Sequence, residues 1–180
     1  MKGIIFNEFE SFVTEKFGEG IYEKIFSASH LITSEPFVGP GTYPDEDLLA
    51  LVSAAVEILN ISLPNALREF GRYCLPKLAG KYPDFIKDHK DPKSFLLTVD
   101  SVIHVEVKKL YADAKLPRFV YKDTSPHSLE IEYTSDRKFC HFMEGLIDGV
   151  STHFKRPISH QQFRCMLKGD LVCEFHLNFG

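Results

Sequence analysis

The sequence predicts an α+β fold, with a mainly helical N-terminal part followed by a small C-terminal antiparallel sheet crossed by one helix. Two observations carry this. Up to about Tyr111, apolar residues recur with the helical period; beyond it, short alternating runs are separated by turn residues. Between those runs, "RKFCHFMEGLIDGVSTHF" returns to the helical period.

Taken in order, Ile5, Phe9, Phe12 and Val13 make the apolar face of a first helix, and Leu48, Leu49, Val52, Ala55, Val56 and Leu59 that of a second. Pro44 before "DEDLL" and Ser62 before "LPNAL" mark helix starts. A helix over 95–111 places His104 on one face with Leu97, Val107 and Tyr111. "LPRFVYKD", "SLEIEYTS" and "DLVCEFHLNF" read as strands, punctuated by "TSPHS" and "LKGD" turns. With no internal repeat and no long linker, residues 1–180 are expected to form one domain.

Composition removes several function classes. The chain has 180 residues, 44% of them hydrophobic, with 16 Phe and no Trp, which is ample material for a core. A net charge of -4 without a basic run argues against a nucleic-acid partner. The opening "MKGIIFNEFESF" is broken by Asn7, Glu8 and Glu10, so it is not the apolar core of a signal peptide, and no later run spans a bilayer. A cytoplasmic protein without membrane insertion is expected. Its four cysteines should then be reduced, favouring metal or redox chemistry over a disulfide framework.

Three groups of residues stand out. Tyr133, Ser135 and Arg137, in "YTSDR", are spaced two apart; on a strand two hydroxyls and a guanidinium would converge on one patch suited to an anion. Arg137 can pair with a carboxylate, and such charge-assisted bonds are each worth about 1.5–3 kcal/mol. His104 lies on a largely apolar helix face, where a lone histidine is more often a hydrogen-bonded core residue than a ligand. Cys140, His160, Cys165 and Cys173 make a three-thiol, one-imidazole set suited to tetrahedral zinc; a disulfide across "MLKGDLV" or free buried thiols are the alternatives. A thiol enzyme built on Cys140 and His141 is disfavoured, because adjacent helical residues point about 100° apart.

His104, the "LP" of Leu116 and Pro117, and "YTSDR" together resemble the heme-nitric oxide/oxygen binding (H-NOX) family, whose bacterial members begin with a stretch like "MKGIIF". The resemblance covers nearly the whole chain. It implies heme b buried between the helical part (about 1–60, distal) and the rest (about 61–180, proximal). His104 would be the proximal iron ligand, Tyr133, Ser135 and Arg137 the propionate partners, and Pro117 the residue that bends the porphyrin.

Oxygen-binding members of the family carry a distal tyrosine at the position of Phe142, supported by residues at the positions of Phe9 and Cys74. Here none of the three is a strong donor, and with Ile5 and Leu146 they imply an apolar distal pocket. Bound dioxygen gains from a donated hydrogen bond, whereas nitric oxide and carbon monoxide need none, so nitric oxide is the expected ligand. The resemblance further implies a sensor, not an enzyme, that releases His104 on binding nitric oxide. A chain ending at Gly180 without a fused output domain is expected to regulate a separate histidine kinase or cyclic di-GMP enzyme. Some members bind zinc through cysteines matching Cys140, Cys165 and Cys173, but their histidine falls at Gln162, so His160 is displaced from the family position. The competing reading is a heme-free, zinc-stabilised interaction module.

Overall fold

The computed structural model describes residues 1–180. Four helices open the chain: α1 (Gly3–Phe17), α2 (Glu19–Ala28), α3 (Asp45–Leu59) and α4 (Leu63–Lys81). Gly18, at φ 94°, ends α1 in a conformation that a side chain would strain, and α2 begins at the next residue. Asn60, left-handed at φ 50°, closes α3. Ser62 then caps α4 by accepting a 3.4 Å bond from the Asn65 amide.

The second half holds α5 (Pro92–Leu96), a π-helical turn (Val99–Ile103), α6 (His104–Leu110), β1 (Arg118–Ser125), β2 (Ser128–Thr134), α7 (Cys140–Phe154), β3 (Ile158–Arg164) and β4 (Cys173–Phe179). The strands form one antiparallel sheet in the order β1-β2-β4-β3. Period-two alternation turns Leu129, Ile131 and Tyr133 of β2 and Cys173, Phe175 and Leu177 of β4 inward against α7. The α+β expectation therefore holds.

Three elements differ from expectation. α2 buries only Ile25, too thin a stripe to register as periodic. β3 turns His160 and Gln162 inward opposite Leu177 and Phe175, so polar residues stand where a strand normally shows its apolar half. The single helix expected over 95–111 is instead α5, the π turn and α6; the wide turn is seen in the Ile103 amide bonding to the Thr98 carbonyl, five residues back, at 3.1 Å.

Two apolar clusters result. One gathers Phe6, Phe12, Leu48, Leu51 and Phe70 among α1 to α4; the other packs the sheet against α7, α5 and Ile86. α4 contributes to both, with Leu67 and Phe70 in the first and Ala79 in the second. α4 and α7 meet at glycines: a Cβ on Gly145 would lie 2.0 Å from the Arg68 carbonyl oxygen, and one on Gly71 2.3 Å from that of Phe142. No single helix is long and apolar enough to cross a membrane.

Candidate cofactor site and thiol cluster

A cavity of about 640 Å³ lies between the two clusters, mostly apolar and within the size range of cofactor pockets. One wall comes from Ile5 of α1, Leu78 of α4 and Phe142 and Leu146 of α7. His104, Val107 and Pro117 line another, and Tyr133, Ser135 and Arg137 also border it.

His104 is the first residue of α6, directly after the π turn. Its Nδ1 is buried without a hydrogen bond, 3.6 Å from Asp100 Oδ1 and just beyond bonding distance. The same Asp100 oxygen accepts 3.2 Å from the Phe119 amide, and the Phe119 ring stacks on the imidazole at 5.5 Å. Burial lowers the His104 pKa against the pull of Asp100, so the neutral, metal-ligating form is favoured. With Nδ1 turned toward Asp100, Nε2 is the nitrogen offered to the cavity. Asp100 was missed in the sequence; its place four residues before His104 was the available signal.

Tyr133, Ser135 and Arg137 converge, though not by strand period. β2 ends at Thr134, and a turn carries the other two: the Arg137 amide donates 3.3 Å to Ser135 Oγ, and Lys138 takes a positive φ of 52°. Burial pushes the Tyr133 phenol up to about 12, so it stays a donor at neutral pH. Arg137 Nη1 donates to the Lys115 carbonyl at 2.6 Å, while Nε lies 2.8 Å from Asp45 Oδ2 at the start of α3. The other Asp45 oxygen accepts from the Met1 nitrogen at 2.7 Å.

Phe142 sits against Phe70 at 5.2 Å and Phe139 at 6.4 Å, and with Ile5 and Leu146 it offers the cavity no donor. Phe9 and Cys74, expected beside them, are buried in the helical cluster behind this wall and do not line the cavity. Phe9 packs edge-on against Phe70 at 5.3 Å. The Cys74 thiol is pushed well up by burial and then by the nearby Glu8 carboxylate, which is itself buried and paired with Lys81.

The sulfurs of Cys140, Cys165 and Cys173 all lie within 4.8 Å of one another, with Cys140 and Cys165 at 3.7 Å. The Met166 amide donates to Cys173 Sγ at 3.3 Å. Burial raises the Cys140 and Cys173 thiols. Three converging buried thiols fit a thiophilic cation, which would draw off their protons.

His160 requires correction. It is not in this group: its Nε2 lies 3.0 Å from Asp148 Oδ1, and Asp148 also pairs with Arg68 and Arg72. The residue that borders Cys140 is Gln162, whose Nε2 is buried without a partner. His141 is bonded to Glu144 at 2.8 Å and His153 meets the Phe154 ring edge-on at 5.2 Å, and neither joins the thiols.

A half-buried imidazole at one wall, an apolar wall elsewhere and a polar, cationic border make a receptacle for a flat apolar prosthetic group with anionic edges. The chain belongs to the Haem-NO-binding family, whose profile matches residues 2–162. Among solved structures it is similar to the unliganded Fe(II) H-NOX protein from K. algicida at 31% identity and TM-score 0.90, covering 100% of this chain and 97% of that one. It is also similar to the H-NOX protein from S. oneidensis in the Fe(II)NO state, at 27% identity and TM-score 0.93, with 100% and 99% covered. The H-NOX domain from Shewanella oneidensis in the Fe(II)CO state gives 27% and 0.91 with the same coverage. Among curated proteins none matches the chain.

Proposed function

We propose that this chain is a heme b sensor of nitric oxide, a single domain over 1–180 with a distal part of about 1–60 and a proximal part of about 61–180. The observation that carries the reading is the half-buried His104 imidazole, its pKa lowered by burial, bordering a cavity whose lining at Ile5, Phe142 and Leu146 is apolar. When bound, heme supplies a ferrous centre for a diatomic gas. His104 would ligate it through Nε2, with the Asp100 carboxylate 3.6 Å from the other ring nitrogen. Tyr133, Ser135 and Arg137 would hold the propionates, and Pro117 would contact the macrocycle. Nitric oxide and carbon monoxide as ligands rest on the states in which the Shewanella relatives were solved.

The output partner, a histidine kinase or a cyclic di-GMP enzyme, rests on the family resemblance alone. The close approach of Cys140, Cys165 and Cys173 supports a zinc ion at their centre. Four free buried thiols suit a reducing compartment, here the cytoplasm. The test is the absorption spectrum of protein expressed with iron and a heme precursor: a Soret band that moves on anaerobic addition of nitric oxide is expected. No Soret band would overturn the reading in favour of the heme-free module.

A further inference from the structure

Given the heme reading, we infer that Asp45 is the positioning residue of the propionate site: it holds the Nε side of the Arg137 guanidinium so that terminal Nη2 faces the carboxylates of the prosthetic group. Arginine is the most flexible member of the trio, and leaving it free until the ligand arrives would cost side-chain entropy on binding. Here it is fixed from two sides. Asp45 Oδ2 lies 2.8 Å from Nε, and the Lys115 carbonyl accepts from Nη1 at 2.6 Å. Nη2 has no hydrogen bond within the protein, and Arg137 lines the cavity.

Asp45 is well placed for the task. It is the first residue of α3, where the helix N-terminus favours a carboxylate. It also borders the cavity without being a donor to it, because an ionised carboxylate only accepts. Asp45 meets the guanidinium on its Nε side as a charge pair at 2.8 Å, with the buried Nε–H itself making no hydrogen bond. Nη1 is engaged by the Lys115 carbonyl, so Nη2 is the terminal nitrogen left for the ligand. Asp45 belongs to the helical half and Arg137 to the β2–α7 connection, so the propionate site is assembled from both halves and not from "YTSDR" alone.

The experiment compares heme-loaded wild type with Asp45→Ala, Asp45→Asn, Asp45→Glu, Arg137→Ala and the Asp45→Ala/Arg137→Ala double variant. The readouts are the rate of heme transfer to an excess apoprotein acceptor and the propionate bending bands in resonance Raman spectra. Asp45→Ala and Asp45→Asn are expected to lose heme about tenfold faster, in line with outer-shell partners elsewhere, and to shift the propionate bands. Asp45→Glu should recover part of the loss, and Asp45→Ala should add nothing once Arg137 is gone. Should Asp45→Ala fail to fold, the near-isosteric Asp45→Asn carries the comparison. Unchanged or slower heme loss in Asp45→Asn would overturn the inference, slower loss meaning that Asp45 competes with the propionate. Its effect persisting in full in the Arg137→Ala background would overturn it too. Wild type without heme would instead overturn the heme reading, and this inference with it.

Discussion

His160 is bonded to Asp148 and not to sulfur: its Nε2 lies 3.0 Å from the Asp148 carboxylate, which Arg68 and Arg72 also grip. The imidazole is thereby committed to the α4–α7–β3 junction, and the thiols are left with Gln162 as their polar neighbour.

For metal content, reduced protein should carry about one zinc per chain by elemental analysis, the count for a single site. Cys173→Ala should lose it, and His160→Ala should keep it. Gln162→His should slow zinc removal by a chelator, because imidazole is the stronger ligand for the fourth position. Zinc content unchanged in both Cys165→Ala and Cys173→Ala would refute the site.

For acid stability, burial works to raise the Asp148 pKa, but bonds from Arg68, Arg72 and His160 outweigh it and hold the carboxyl well below the ordinary range. A depressed folded pKa contributes stability above the unfolded value near 3.8 and loses it as pH falls through the folded value. The thermal midpoint of wild type should therefore drop as pH falls below about 4. Asp148→Asn should flatten part of that drop while costing on the order of 2 kcal/mol at neutral pH. An acid limb identical in the variant would contradict this.

For gas selectivity, the ferrous protein in air should form no lasting oxygen complex, since Phe142, Ile5 and Leu146 offer no donor. Phe142→Tyr alone should be insufficient, because Phe70 and Phe139 flank that position and neither can orient a hydroxyl. A long-lived oxygen-bound spectrum from the unmodified chain would contradict the apolar distal wall.

For signalling, His104→Gly supplied with imidazole should keep heme and still bind nitric oxide. The link from iron to α6 is then cut. Hydrogen exchange over 104–110, which should rise on adding nitric oxide to wild type, should stay flat in this variant. An undiminished response would move the coupling to Pro117.

The sequence was most legible where one residue type carried one chemistry. The inward faces of β2 and β4 announced themselves by strict alternation, and the three cysteines by their residue type, whereas His104 and Arg137 took on a role only through the resemblance that "LP" and "YTSDR" carry with them. Illegible were relations made by partners far along the chain. Nothing near "YTSDR" points to Asp45, and nothing near "ISHQQ" shows that Asp148 will claim His160 and leave Gln162 to the thiols. Phe9 and Cys74 were placed at the cavity because apolar residues cannot by sequence distinguish a wall from the layer behind it.

The two halves touch through contacts of opposite mechanical character. At Gly71 and Gly145, α4 and α7 meet backbone on backbone, with no side chain to rearrange and no slack to absorb a shift. Elsewhere they meet through side-chain ends, with Lys2 over the Tyr111 ring at 4.1 Å and Asp45 on Arg137 at 2.8 Å. The glycine crossing therefore sets how closely the two helices lie. A side chain added at either glycine would push α4 and α7 apart, and with them the walls that Leu78, Phe142 and Leu146 give to the cavity.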